Sequence, residues 1–252
     1  MLKTRVIPCL LLRGSGLVKT TRFKDAKYVG DPINAIKIFN DKEVDELVLL
    51  DITASREGRG PAFSVIKDVA SECFMPLAYG GGIRSVEEAR RILSVGVEKV
   101  IFNTVAWRAS QVLSDASRAF GAQAIVASID ARRKFLGRYE VVVEGGTRGT
   151  GQSPVDYARR MQDVGAGEIL LNATDRDGTL KGYDLELIQA VTQAVQVPVV
   201  ACGGAASLKD FADAVEHGAA AVAAGAMFVL HGPHRAVLIT YPQRDELERL
   251  LK

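Results

Sequence analysis

The sequence is poor in cysteine and histidine, with three residues of each type among 252. Cys9, Cys73 and Cys202 are far apart and lack the short spacings of a metal site, so we expect free thiols, buried, in a reducing cytoplasm. The histidines lie near predicted helix ends or in the C-terminal tail, and no set of metal ligands includes them. The sequence therefore predicts neither a metal nor another cofactor.

Long apolar segments and a strong net charge are also missing. No stretch reaches the roughly 18 uncharged apolar residues of a membrane span, and the first residues lack the apolar length of a signal peptide. A net charge of +2 gives no general attraction to nucleic acid or to membranes. We therefore expect a cytoplasmic protein without nucleic-acid or membrane partners, in which any basic site is local.

One pattern occurs twice along the chain. Residues 75–104 have the pattern of a strand, a glycine turn, a helix and a second strand, and residues 197–228 repeat it. Ser85, followed by Glu88, forms a predicted capping box, and its counterpart Ser207 lies 122 residues later. The repeat indicates a chain made of two copies of one half.

Short apolar segments alternate with helical patterns. The predicted strands are 6–12, 47–51, 76–79, 100–102, 124–129, 169–171, 198–201 and 220–223. The predicted helices are 33–39, 62–70, 86–93, 111–120, 154–164, 185–194 and 208–215. This alternation favours parallel strands with right-handed crossovers, and eight units doubled from four predict a single α/β domain, a (β/α)8 TIM barrel. A doubly wound open sheet would not explain equivalent glycine turns after the third and seventh strands.

The predicted domain covers residues 1–252, with half-barrels of about 1–120 and 121–230 and a C-terminal extension at 231–252. In such a barrel, functional groups lie at the carboxyl ends of the strands. The two glycine turns lie there, and their backbone N–H groups predict two phosphate sites and a ligand with two anionic ends. The alternative is that tight turns need glycine for conformational reasons. A glycine-rich basic loop after the first strand either closes over this ligand or is simply solvated.

Several segments resemble the HisF family, the cyclase subunit of imidazole glycerol phosphate synthase: VIPCLLL, DELVLLDITAS, AYGGGIRS, VASIDARR and GAGEILLNATDRDGT. The resemblance implies a barrel that receives ammonia from a glutaminase (HisH-like) subunit at its N-terminal face, in a heterodimer. It also implies closure of an imidazole ring on a bisphosphate substrate. The candidate substrate- and phosphate-binding residues, from the resemblance and the strand ends, are Lys19, Asp51, Gly82, Asn103, Thr104, Asp177, Gly178, Gly204, Gly225 and Ala226.

The sequence departs from the family at the expected acid–base pair. The family uses an aspartate at the end of the first strand and another at the end of the fifth; Asp130 matches the second, but Leu11 occupies the place of the first. Such a group contributes typically ~10²–10⁴-fold to a rate, so we expect its loss to abolish useful cyclase turnover. Asn172 replaces a threonine that is usual in the family, and residues 231–242 contain a strand-like apolar run where the family has a helix.

The opposite end of the barrel keeps the family pattern. Arg5, Glu46, Lys99 and Glu168 stand at amino ends of strands, and the resemblance matches them to the family's ammonia gate. The alternative is a rim of structural ion pairs. Glu98 matches an acidic residue that faces the glutaminase, so we expect a retained docking surface.

Three functions remain open. The leading prediction is an ammonia-channelling subunit of a glutamine amidotransferase complex. It would serve amidination of a nucleotide-linked sugar in surface-polysaccharide (lipopolysaccharide) synthesis, with a separate sugar amidotransferase as a further partner. The alternative is the cyclase of histidine biosynthesis, in which Asp130 works alone or with Asp51 or Asp177 in place of the lost acid. The third is a non-catalytic phosphate-binding scaffold.

Overall fold

The computed structural model describes residues 4–251, apart from the side chain of Leu136. Its strands are β1 (Arg5–Arg13), β2 (Gly16–Thr21), β3 (Lys24–Gly30), β4 (Leu47–Asp51), β5 (Leu77–Gly80), β6 (Lys99–Phe102), β7 (Ile125–Arg133), β8 (Tyr139–Val143), β9 (Arg148–Gly149), β10 (Glu168–Ala173), β11 (Val199–Cys202), β12 (Ala221–Ala224), β13 (Leu230–His231) and β14 (Ala236–Val237). Its helices are α1 (Pro32–Asp41), α2 (Phe63–Glu72), α3 (Val86–Ser94), α4 (Thr104–Arg108), α5 (Ser110–Phe120), α6 (Pro154–Asp163), α7 (Leu185–Thr192), α8 (Leu208–Glu216), α9 (Ala226–Val229) and α10 (Arg244–Leu250).

Eight of the described strands pair in parallel and close into a barrel. Their order around the barrel is β1, β4, β5, β6, β7, β10, β11 and β12, and β12 pairs with β1. Helices follow the strands along the chain, as the alternating pattern predicts. The predicted (β/α)8 barrel is therefore confirmed, with strand ends that differ from the predicted ones by up to four residues.

The sequence repeat also appears in where the helices and strands of the two halves begin and end. β5, α3 and β6 each begin and end 122 residues before β11, α8 and β12. Ser85 caps α3 by accepting a hydrogen bond from the backbone N–H of Glu88 at 3.2 Å, and Ser207 forms a capping box with Asp210 at the start of α8. Equivalent caps therefore set equivalent helix starts in the two halves.

The barrel strands separate two layers of core. Along β1, Ile7, Cys9 and Leu11 face the barrel interior, whereas Val6 and Leu10 pack in the layer shared with the helices. This alternation is the expected consequence of the two-residue period of a strand. The interior is apolar and contains many small side chains: Ile7, Cys9, Val48, Ala78, Ile101, Val126, Leu170, Val200, Cys202, Ala221 and Ala223.

The basic loop after the first strand is an ordered hairpin. β2 pairs antiparallel with both β1 and β3, and so extends the sheet over the mouth of the barrel. Arg22 and Phe23 of its turn, and Asp25 at the start of β3, have positive φ. The sequence indicated a basic loop here but not its strands, because the turn uses residues other than glycine in the left-handed conformation and carries no simple sequence signal. A second hairpin is formed by β7 and β8, which pair antiparallel.

The C-terminal segment differs from its prediction. The strand-like run in residues 231–242 yields only the two-residue strand β14, which pairs with β13, and a helix follows it, α10. Gln243 and Glu246 form a capping box that starts this helix. The side-chain hydroxyl of Tyr241 donates to the carbonyl of Val6 at 2.9 Å, which fixes the segment beside β1.

The three thiols are free, although Cys73 is only half-buried. No helix among residues 4–251 combines the length and the apolar character needed to cross a membrane.

Candidate functional site

The carboxyl ends of the barrel strands surround a cavity of about 130 Å³. Eight of the predicted site residues line it: Leu11, Lys19, Asp51, Asn103, Thr104, Asp130, Asp177 and Gly225. Gly82, Gly178, Gly204 and Ala226 are not among the lining residues. The hairpin β2–β3 contributes Lys19, Thr20 and Phe23, so the cavity has a wall that no barrel strand provides.

Asp130 is one of three buried carboxyls that line this cavity, with Asp51 and Asp177. Asn103 Nδ2 donates to its Oδ2 at 3.0 Å, and Asn172 Nδ2 donates to its Oδ1 at 3.3 Å. Burial raises the pKa of Asp130 to about 7; the two amides oppose this shift, and the charge of Asp177 adds to it. A carboxyl with this pKa can donate or accept a proton near neutral pH, as a general acid or base requires.

The register of the strands shows that Leu11 is the structural counterpart of Asp130. Leu11 pairs with Leu50 on the next strand, and Asp130 pairs with Asn172. Leu50 and Asn172 are themselves 122 residues apart, at equivalent places of the repeat. One half of the mouth therefore presents two leucines where the other half presents an acid and an amide.

Asp177 is bound by the hairpin. Lys19 Nζ lies 3.0 Å and 3.1 Å from its two carboxylate oxygens, and Thr20 Oγ1 lies 3.2 Å from Oδ2. Lys19 is only 4% exposed, so this ion pair is shielded from water. A Cβ on Gly225 would stand 2.9 Å from the carbonyl oxygen of Cys9 and 3.2 Å from Lys19 Cε, so glycine there leaves room for the lysine.

Both carboxylate oxygens of Asp51 already have hydrogen-bond partners in the loop that follows β4. Its Oδ1 accepts from the backbone N–H groups of Thr53 and Ala54, both at 3.1 Å, and Arg59 Nη1 lies 3.2 Å from Oδ2. This carboxylate therefore organises the loop after β4. Sequence reasoning missed Arg59, because nothing in the spacing of eight residues indicates that it returns to the strand end.

Two of the predicted phosphate-binding glycines have conformations that favour glycine strongly. Gly178 has φ +68°, and a Cβ there would stand 2.1 Å from the carbonyl oxygen of Thr20. Gly204 has φ +121°, and its Cβ would stand 2.2 Å from the carbonyl oxygen of Gly182. The close backbone packing accounts for these glycines without a ligand, so their part in phosphate binding stays a prediction.

A ring of charges closes the opposite end of the barrel. Lys99 Nζ lies 2.8 Å from Glu46 Oε1 and 2.9 Å from Glu168 Oε2. Arg5 donates to the same two carboxylates. Burial lowers the pKa of Arg5, but its hydrogen bonds and charge interactions with Glu168 and Glu46 outweigh this and raise the pKa overall. The four predicted residues thus form one alternating ring across the axis of the barrel.

The space between ring and mouth is filled by the apolar interior described above. Cys9 and Cys202 belong to that interior and also line the mouth cavity, so the two regions are continuous. In the part of the chain that the structure describes, no group of three or more histidine, cysteine, aspartate or glutamate side chains is placed to hold a metal ion.

Comparison with known proteins relates this geometry to a family. The sequence pattern of the family described as "Histidine biosynthesis protein" matches residues 5–233. A protein of Pseudomonas aeruginosa, "Putative imidazole glycerol phosphate synthase subunit hisF2", is 53% identical over 98% of this chain and 99% of its own length. The chain belongs to the HisF family.

Other HisF proteins show the same breadth of similarity. The "Putative imidazole glycerol phosphate synthase subunit HisF" of Leptospira interrogans is 48% identical over 99% of both chains. The "Imidazole glycerol phosphate synthase subunit HisF" of Alkaliphilus metalliredigens is also 48% identical, over 90% of both chains. These names support the cyclase subunit more than the predicted sugar amidination, which no reported relative's name mentions.

Proposed function

We propose that this chain is the barrel subunit of a synthase of the imidazole glycerol phosphate type, which takes up ammonia at the charged ring and uses it at the mouth. One observation carries the proposal: an apolar interior connects a closed ring of four charges to a buried carboxyl with a pKa of about 7. The charged ring suits entry of ammonia, the apolar interior suits its passage, and the buried carboxyl suits proton transfer.

Passage through the interior suits neutral ammonia. A neutral, small molecule can cross an apolar region, whereas burial of an ammonium ion without a partner is costly. The small side chains of Ala78, Ala221 and Ala223 stand among larger ones such as Ile7 and Leu170, so a passage through the interior would be narrow. The ring has to open transiently for entry, and its four mutual ion pairs keep it closed otherwise.

The source of ammonia is proposed to be a glutaminase subunit at the amino face of the barrel. The relatives' names describe them as subunits of a synthase, which supports a heteromeric complex. Glu98 precedes Lys99 of the ring, so a partner that contacts Glu98 stands directly beside the entry.

The first candidate reaction at the mouth is closure of an imidazole ring on a phosphorylated substrate. Asp130 would transfer the proton, with Lys19 and the glycine turns near the phosphate groups. Asp177 and Asp51 are poor replacements for the missing acid, because the first is paired with Lys19 and the second is saturated by its own loop. Asp130 would therefore act as the single acid–base group, and the relatives' names support this candidate.

Leu11 favours a second candidate. The family uses two acids to close the imidazole ring, and leucine occupies the place of one of them here. The four charged residues at the other end of the barrel are all present. In this candidate, ammonia passes through the mouth to a different acceptor, such as the nucleotide-linked sugar expected from the sequence. We rank it second because the relatives' names do not support it.

The deciding experiment measures cyclase activity with free ammonium and the bisphosphate substrate for three proteins: the native chain, Leu11→Asp and Asp130→Asn. Turnover by the native chain that Asp130→Asn abolishes would establish the first candidate. A silent native chain with turnover restored by Leu11→Asp would favour the second. If all three are silent and the barrel leaves the activity of its glutaminase unchanged, both candidates fail.

A further inference from the structure

A second concavity lies outside the mouth, on the outer side of the hairpin β2–β3. Its volume is about 460 Å³. It is lined by seven residues from three separate segments: Thr21, Arg22, Lys24, Asp25, Thr179, Lys181 and Arg235. None of them lines the mouth cavity. We call this concavity the basic groove.

The basic groove carries an excess of positive charge. Four of its lining residues are cationic, and Asp25 is its single carboxylate. Among the described ion pairs, none joins Arg22, Lys24, Lys181 or Arg235 to a carboxylate, whereas surface residues such as Arg108, Arg133 and Lys209 have such a partner. Charges of one sign gathered in a concave site attract a ligand of the opposite sign.

The two arginines are held in place by uncharged groups. Arg235 donates to the carbonyl of Gly178 and, at 3.4 Å, to Thr21 Oγ1. Arg22 Nε donates to the carbonyl of Asp175 at 3.1 Å. Because carbonyl and hydroxyl oxygens carry no net charge, these bonds orient the guanidinium groups and leave their charges uncompensated. Arg235 Nε is buried and has no hydrogen-bond partner in the described structure.

The basic groove and the mouth have no lining residue in common, but backbone hydrogen bonds connect the segments that form them. Asp177 binds Lys19 on the side of the mouth, and its carbonyl accepts the backbone N–H of Arg22 at 2.8 Å on the other side. The backbone of Arg235 is tied to the hairpin in turn, because Lys27 Nζ donates to its carbonyl at 2.7 Å. A ligand in the groove would therefore contact the hairpin, the loop after β10 and the C-terminal segment together.

We propose that the basic groove binds a small molecule through a diphosphate group. Phosphate oxygens accept the paired N–H groups of guanidinium, and several phosphate charges match the excess of three positive charges in the groove. The volume lies within the roughly 300–1,000 Å³ of small-molecule sites. The net charge of the whole chain is only +2, which gives no extended basic surface for a nucleic acid. The site is independent of the reaction proposed for the mouth.

The first test is calorimetric titration of the full chain with inorganic pyrophosphate, without divalent cations. The double variant Lys24→Gln/Lys181→Gln removes two charges whose side chains make no other hydrogen bond among the described residues. We expect it to weaken pyrophosphate binding at least tenfold, because charge-assisted hydrogen bonds are among the stronger polar contacts. Lys209→Gln, a lysine of α8 that is paired with Asp213, is the matched control and should change the affinity less than twofold.

The second test locates the anion by the backbone amide signals that pyrophosphate shifts in NMR spectra. Shifts at Thr179, Lys181 and Arg235 would support the groove. Shifts confined to the glycine turns of the mouth would overturn it, as would equal weakening by the Lys209→Gln control or absence of binding. The mouth reaction can fail or succeed without affecting this result, so the two proposals are separately testable.

Discussion

Replacing Asp130 with asparagine should stabilise the fold, and the gain should depend on pH. The carboxyl has a pKa of about 7 in the folded protein, and of about 3.9 in an unfolded chain. The folded state therefore holds the proton more tightly than the unfolded state does. Below about pH 4 both states are protonated and burial of this group has no ionisation cost. As the pH rises towards 7, the native protein loses stability, and above 7 the loss is complete.

The size of the effect follows from the two pKa values. A difference of roughly three pKa units corresponds to about 4 kcal/mol at 1.36 kcal/mol per unit. Asparagine never ionises, so Asp130→Asn avoids this loss. It offers one acceptor oxygen instead of two, and one of the amides of Asn103 and Asn172 loses its partner unless it rotates, which costs about 1 kcal/mol. The net gain at pH 8 is then about 3 kcal/mol, or roughly 6–12 °C in melting temperature for a chain of this size.

Urea and thermal unfolding of the native chain and of Asp130→Asn between pH 4 and pH 8 would measure this difference. Asp115→Asn is the matched control. Its carboxylate lies on the surface, where hydrogen bonds from Gln111 and Arg118 lower its pKa, so the variant should gain no stability as the pH rises. If the stability difference between the native chain and Asp130→Asn does not change with pH, burial does not raise the pKa of Asp130. A difference of the opposite sign at pH 8 would show that the fold stabilises the ionised carboxylate.

Three further predictions follow from the geometry. Glu46→Gln leaves the two basic residues of the charged ring with one carboxylate and should reduce the free energy of unfolding by about 3 kcal/mol, measured in urea, because Glu46 is buried. If ammonia enters at this ring, as proposed, the same variant should lower the ammonium concentration needed for half-maximal synthase activity. Gly204→Ala should destabilise the chain by several kcal/mol, because its Cβ would stand 2.2 Å from a carbonyl oxygen. Gly14→Ala, with φ +62° and no heavy atom within 4 Å of the added Cβ, should cost only about 1 kcal/mol. Lys19→Met removes the cation that is paired with Asp177 and should weaken binding of a phosphorylated ligand at the mouth, measured by calorimetric titration.

The fold was predictable because its main determinants are local and occur twice. The capping serine and the apolar period of α3 recur in α8, and this recurrence indicates the number of units and therefore a closed barrel. The placement of Leu11 in the mouth was predictable for a related reason, since a strand alternates its faces and the register of β1 follows from Ile7 and Cys9.

The details of the site were less predictable because they depend on contacts between distant segments. The pKa of Asp130 results from burial and from amides on two neighbouring strands. Asp51 looked like a candidate acid because it ends a strand, yet Arg59 folds back and pairs with it. The hairpin over the mouth was missed, since its turn has no glycine at the positions with positive φ. The basic groove joins three segments that are up to about 200 residues apart, and no sequence pattern relates them.

The unequal halves of the mouth have a consequence for how a ligand lies in it. A barrel with a two-fold repeat offers a molecule with two similar ends two opposite orientations of nearly equal energy. Here the leucine pair at 11 and 50 stands opposite the acid and amide at 130 and 172, so the two orientations place the reactive centre against different chemistry. The difference between the two halves therefore gives the site a direction, because only one orientation of such a ligand brings a given end of it to Asp130.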